Sequence, residues 1–219
     1  MIDEIVAWLS ARLLAWIPLL LSLSVHEYAH ALAASWLGDR TAESQGRLTL
    51  DPAAHADPVG TVLLPLLGVP FGWAKPVPVN PANFRGGGDG RLGMLVTAAA
   101  GPASNMAIAV ACAGILAMMQ LLSPDLAHGL AGRTVASTIG MNTTLAVFNL
   151  LPFPPLDGSR VVDFLCPESL RPAWAWLYAR SGLGIAFLLL AMVFSGVDLV
   201  GWAASLGAGL VGLALGGDR

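Results

Sequence analysis

The chain has 219 residues, 56% of them hydrophobic and 11% charged, with a formal net charge of −3. Soluble domains carry roughly a quarter charged residues, so this composition excludes a water-soluble globule. The slight acidity argues equally against a nucleic-acid surface, which needs concentrated Lys and Arg.

The first apolar block, residues 5–37, exceeds the roughly 20 residues that cross the hydrocarbon layer as a helix. Asp3 and Glu4 precede it where a signal peptide would carry Lys or Arg, and the block runs on into two histidines, so it is expected to stay attached. Segment 59–71 is shorter and broken by Gly60, Pro65, Gly68 and Pro70, which suits a re-entrant or interfacial piece with its backbone covered by protein. Together with the proline-rich run after it, a re-entrant segment and a short β element are expected near 59–81. Blocks 92–122, 133–151, 174–195 and 197–215 bring the transmembrane helices to about five. The expected fold class is an all-α polytopic membrane protein. Its polar intervals, 38–58, 73–91 and 152–173, are too short for independent domains, so residues 1–219 form a single membrane-embedded domain. Cys112 lies in a span and Cys166 in a polar loop, a poor basis for a disulfide or a thiolate metal site.

Basic residues near span ends stay on the cytoplasmic side. Lys75, Arg85 and Arg91 share one loop, and Arg160, Arg171 and Arg180 another. With both loops in the cytoplasm, Asp3, Glu4 and loop 123–132 lie outside without a single Lys or Arg; Arg12 and Arg133 are the exceptions. The protein is then a multi-pass component of the plasma (inner) membrane. Block 5–37 runs inward, its histidines reach the cytoplasmic face, and 59–71 does not cross.

Those histidines belong to His26-Glu27-Tyr28-Ala29-His30. Positions four apart share a helical face, so His26 and His30 can aim at one ion while Glu27, about 100° round the helix, flanks the same space as general base. Ionisable groups inside a span cost several kcal/mol and default to functional roles, and here three fall within five residues. A zinc ion with three protein ligands keeps a fourth position for water. Asp157, after the proline-rich turn 151–156, is the best candidate for the third ligand. Zn²⁺, two neutral histidines, Asp⁻ and Glu⁻ sum to zero, which minimises the cost of burying the ion. A lone Asp at this position also suits a cap for the helix that follows. His55 reads as part of an interfacial loop, and Trp73, Trp174, Trp176 and Tyr178 as interfacial anchors.

His26-Glu27-x-x-His30, Gly101-Pro-x-x-Asn105 and Asn149-Leu-Leu-Pro-x-Pro-x-Leu-Asp157-Gly together resemble the signature elements of the site-2 proteases, the M50 intramembrane zinc metalloproteases. Gly72-Trp-Ala-Lys-Pro-Val-Pro-Val-Asn-Pro81 is similar to the compact bacterial and archaeal members, which lack a PDZ or CBS domain. The resemblance covers residues 20–165, so a core at 5–165 carries the site and the spans at 174–215 are accessory. It implies one Zn²⁺ ion held by His26, His30 and Asp157, with Glu27 as catalytic acid/base and Asn149 as a catalytic polar group near the metal. It implies cleavage of transmembrane substrates, which the basic loops put near the cytoplasmic face, as in regulated intramembrane proteolysis of membrane-tethered transcription regulators or anti-sigma factors in the lipid bilayer. Asn149 also fits a helix-end amide that satisfies carbonyls, and Gly101 and Asn105 fit close helix packing among small residues. The alternative function is a non-hydrolytic zinc-binding membrane protein, a transporter or inactive scaffold.

Lys75-Pro76-Val77-Pro78-Val79 has prolines at alternate positions. If it is extended, one edge lacks donors at 76 and 78 while the other keeps the N–H groups of 75, 77 and 79. That edge either receives an unwound substrate by strand addition or pairs with residues 46–50.

Overall fold

The computed structural model describes residues 2–67, 72–86, 90–180 and 198–216, with the side chains of 2–15 and 199–200 outside that description. Ten α-helices occur among the described residues: α1 (Ile2–Trp36), α2 (Thr41–Ser44), α3 (Pro52–His55), α4 (Leu64–Leu67), α5 (Arg91–Leu122), α6 (Pro124–His128), α7 (Leu130–Asn149), α8 (Ser159–Leu165), α9 (Arg171–Tyr178) and α10 (Leu199–Leu215). A π-helical turn, Pro58–Leu63, runs directly into α4.

The architecture is all-helical, as the long apolar blocks require. α5 and α7 lie against each other, α1 packs on α5 at one side, and α10 closes on α7 and α5 at the other. Ala109, Leu116, Ala127 and Ile139 form a buried cluster, joined by Leu210, Val211, Ala214 and Leu215 of α10. Of the stretch expected to be accessory, α10 therefore shares its core with α5 and α7.

α1 ends where Gly38 adopts φ 111°, a conformation that favours glycine. Gly38 N–H donates to Ser35 O at 3.0 Å and Asp39 N–H to Ala34 O at 2.9 Å, the paired reverse bonds that satisfy carbonyls at a helix end. Blocks 92–122 and 133–151 appear as α5 and α7. Block 197–215 begins as a helix at Leu199, with its N-terminus capped by Asp198, whose carboxylate accepts from Gly201 N–H at 2.7 Å. For block 174–195, the helix that holds its start begins at Arg171 and gives way to a turn at 179–180, while 181–195 lie outside the described residues.

Among the described residues there is no strand, so the short β element expected near 59–81 is corrected. Residues 58–67 are helical and 72–80 form an irregular strap. The physical reason lies in the donors. Pro76 and Pro78 have none, Lys75 N–H goes to His55 O at 2.8 Å, Val77 N–H to Glu27 Oε2 at 2.9 Å, and Asn80 N–H to Asp39 Oδ2 at 2.7 Å. Segment 46–50 meets the strap through a side chain instead, Arg47 Nη2 donating to Lys75 O at 2.5 Å.

Candidate metal centre

His26 and His30 stand one turn apart on α1, buried, with their rings edge-on at a centroid distance of 4.6 Å. Their Nε2 atoms are 3.0 Å apart, and Asp157 Oδ2 lies 3.3 Å from the first and 3.4 Å from the second. All three candidate ligand atoms fall within 4.8 Å of one another.

The opposite edges of the imidazoles are already committed. His30 Nδ1 lies 2.7 Å from the Thr97 carbonyl, which can only accept, so the Nδ1 of a neutral His30 carries the proton and its Nε2 presents a lone pair. His26 Nδ1 is 2.6 Å from Asn105 Oδ1, which sets the same tautomer. Asp157 Oδ2 is buried and has no hydrogen-bond partner. Three lone-pair donors thus face a single point. They repel unless a cation lies between them, and two imidazoles with one carboxylate form a usual zinc donor set.

Backbone geometry makes the convergence possible. A Cβ on Gly101 would overlap the rings of both His26 and His30, so only glycine lets α5 come this close to α1. Pro102 follows it and has no N–H for the Ala98 carbonyl one turn back, while the neighbouring Thr97 carbonyl meets His30. Asp157 sits in the turn between α7 and α8. Gly158 N–H donates to Asn149 O at 2.7 Å, and a Cβ on Gly158 would overlap the Leu150 carbonyl, so the turn folds tightly onto the end of α7.

Glu27 is buried beside this cluster, its Oε2 held by Val77 N–H of the strap. The structure thus brings His26, Glu27, His30 and Asp157 together. Asn149 donates from Nδ2 to Leu145 O, 2.9 Å away on its own helix, and its backbone carbonyl anchors the Asp157 turn. His55 lies apart from the cluster, buried under the strap with Nε2 2.8 Å from Thr49 O.

Sequence reasoning missed the polar groups behind the histidines. Asn105, whose small neighbours suit close packing, is fully buried against His26 and bonded onward to Asn142 at 2.8 Å. Asn142 and Ser22, which continue that chain, were not singled out. The available signal was polar side chains inside otherwise apolar spans.

The model of peptidase family M50 matches residues 113–191, which include Asp157 and Asn149. The chain is 41% identical over 164 residues to a Bacillus subtilis protein named "Putative zinc metalloprotease YwhC", a match that spans 71% of this chain and 70% of that one. It is 32% identical over 184 residues to "Putative zinc metalloprotease Rip2" of Mycobacterium tuberculosis, spanning 84% and 67%. Rip2 of Mycolicibacterium smegmatis is 32% identical over 169 residues, and this chain spans 60% of its length. No solved structure matches the chain significantly.

Proposed function

The chain belongs to peptidase family M50 and is a zinc metalloprotease, and on that premise we propose that His26, His30 and Asp157 hold one zinc ion, with Glu27 as catalytic acid/base acting on peptide bonds of membrane-spanning substrates. The observation that carries this reading is the meeting of three lone-pair donors from α1 and the α7–α8 turn within 4.8 Å, in a buried space beside Glu27.

Zinc in a three-ligand site supplies an open position where a water is acidified and a carbonyl polarised. The chain's own residues do the rest. Glu27 takes the proton of the attacking water and returns it to the leaving amine. Val77 N–H holds Oε2, which leaves the other carboxylate oxygen for proton transfer. Asn149 is the proposed donor to the oxyanion, and in that role its amide exchanges the Leu145 carbonyl for substrate.

The membrane setting is supported by α5, 32 residues long and the one helix among those described that is long and apolar enough to cross a bilayer. Only 17% of its apolar window is buried within the protein, unlike the core helix of a soluble domain. We place the enzyme in the plasma (inner) membrane as a multi-pass protein of about five spans, with 59–71 re-entrant and the site towards the cytoplasmic face. Its substrates are of the membrane-tethered regulator or anti-sigma factor class.

Purified protein in vesicles is expected to cleave an embedded single-span reporter. Glu27→Gln should keep its zinc and cut at least about 100-fold more slowly. An E27Q protein that cuts as fast as wild type overturns the assigned role.

A further inference from the structure

The hydrogen bonds behind His26 form a chain whose direction is set far from the metal centre. Asn142 Nδ2 donates to the Thr138 carbonyl at 2.9 Å and to Ser22 Oγ at 2.9 Å. The Thr138 carbonyl cannot donate, so Asn142 must turn its NH₂ towards it, and both amide hydrogens are then used. Its Oδ1 therefore faces Asn105, 2.8 Å from Nδ2. That contact in turn forces Asn105 to present Oδ1 to His26 Nδ1, 2.6 Å away. Asn105 and Asn142 are both fully buried, out of contact with bulk solvent, so a flipped amide loses its partners.

We infer that Asn142, although it touches no candidate ligand, is a positioning residue for the metal centre: it locks the Asn105 amide so that His26 keeps its proton on Nδ1 and offers Nε2 to the ion. The inference rests on the zinc reading above and extends it one helix outward, to α7. His30 needs no such relay, because a backbone carbonyl, which cannot flip, sets its tautomer directly. The site therefore has one histidine fixed by the fold and one fixed by a pair of amides. Without Asn142, the Asn105 amide can rotate and present NH₂ to His26. His26 Nδ1 must then accept, and its proton moves to Nε2, where it opposes the metal.

Two variants and two measurements test this without using proteolysis. Asn142→Leu removes the lock, while Asn142→Asp, kept neutral by its burial, turns its one O–H to the Thr138 carbonyl, leaves an oxygen facing Asn105 and serves as the rescue. Zinc affinity is measured by chelator competition, and the imidazole Nδ1–H protons of the zinc-loaded protein are followed by NMR, with the His30 signal as internal control. Asn142→Leu is expected to weaken zinc binding by about 10- to 100-fold, as losses behind a metal ligand do, and to shift or lose the His26 proton signal while that of His30 stays. Asn142→Asp should bind zinc within about threefold of wild type and keep both signals. An N142L protein with unchanged affinity and an unchanged His26 signal overturns the inference. Should that variant fail to fold, loss of the His26 signal in N142D overturns it instead. A wild type that binds no zinc removes the reading on which the inference rests, whereas wild-type binding with unaffected variants removes only the relay.

Discussion

Gly101 shows how a single missing methyl group permits chemistry. It lets α5 touch both imidazoles, so Gly101→Ala is expected to push α1 and α5 apart and weaken zinc binding at least about tenfold, the scale of losses around metal ligands. Chelator competition on the folded variant measures it. Val77 offers a different test, because its side chain is irrelevant to the contact with Glu27. Val77→Pro removes the N–H that holds the carboxylate, and turnover should fall by roughly 10-fold or more, with zinc affinity unchanged, because the base loses its orientation. At this scale the sequence was informative where chemistry clusters locally. His26, Glu27 and His30 are legible because a helix brings positions one and four residues apart to one place. Asn105, Asn142 and Ser22 are not, because their partners come from helices 37 to 120 residues away and no local pattern encodes the contact.

The strap shows the same limit for an element. Alternating prolines suggested one usable edge, and the structure gives two of its three donors, Lys75 and Val77, to the His55 carbonyl at the end of α3 and to the Glu27 carboxylate. Asp39 ties the far end to α1. Burial alone would raise its carboxyl, but hydrogen bonds from the Thr41 hydroxyl, the Asn83 amide and the N–H groups of Asn80 and Thr41 outweigh this and hold it below the usual carboxylate range. A carboxyl depressed in the folded state stabilises the fold fully above its unfolded value, about 3.9, and loses that contribution as pH falls through the depressed folded value. Thermal unfolding followed from pH 6 to pH 3 should therefore show a loss of stability in acid, and the part due to Asp39 should be missing in Asp39→Asn. Helices α5 and α7 were legible because a long apolar block admits few other structures. Segment 174–178 was harder, since Pro172 and the basic residues around it support a short helix that begins earlier, at Arg171.

For the molecule as a whole, the charge pattern makes a claim about sidedness. If the Lys and Arg loops share the cytoplasm, then with Cys112 and Cys166 replaced by Ser, Asn83→Cys and Leu126→Cys, made one at a time, should react with an impermeant thiol reagent from opposite faces of oriented vesicles. Labelling of both from the same face would refute the proposed topology. The helical fold and the pairing of α1 with a distant aspartate could be read from the sequence, but the closing of α10 over α7 and α5 could not, because its uniformly apolar surface marks no preferred face. The meeting of α1 with the α7–α8 turn has one more consequence. An ion shared by His30 and Asp157 is also a crosslink, bridging positions 127 residues apart in the chain. Closing a loop of that size removes at most about 5 kcal/mol of conformational freedom from a fully disordered chain, and less from one whose helices persist in the membrane. Chelation should therefore lower the melting temperature as well as stop catalysis. Such a protease would be short-lived wherever zinc is scarce, its abundance following the metal supply.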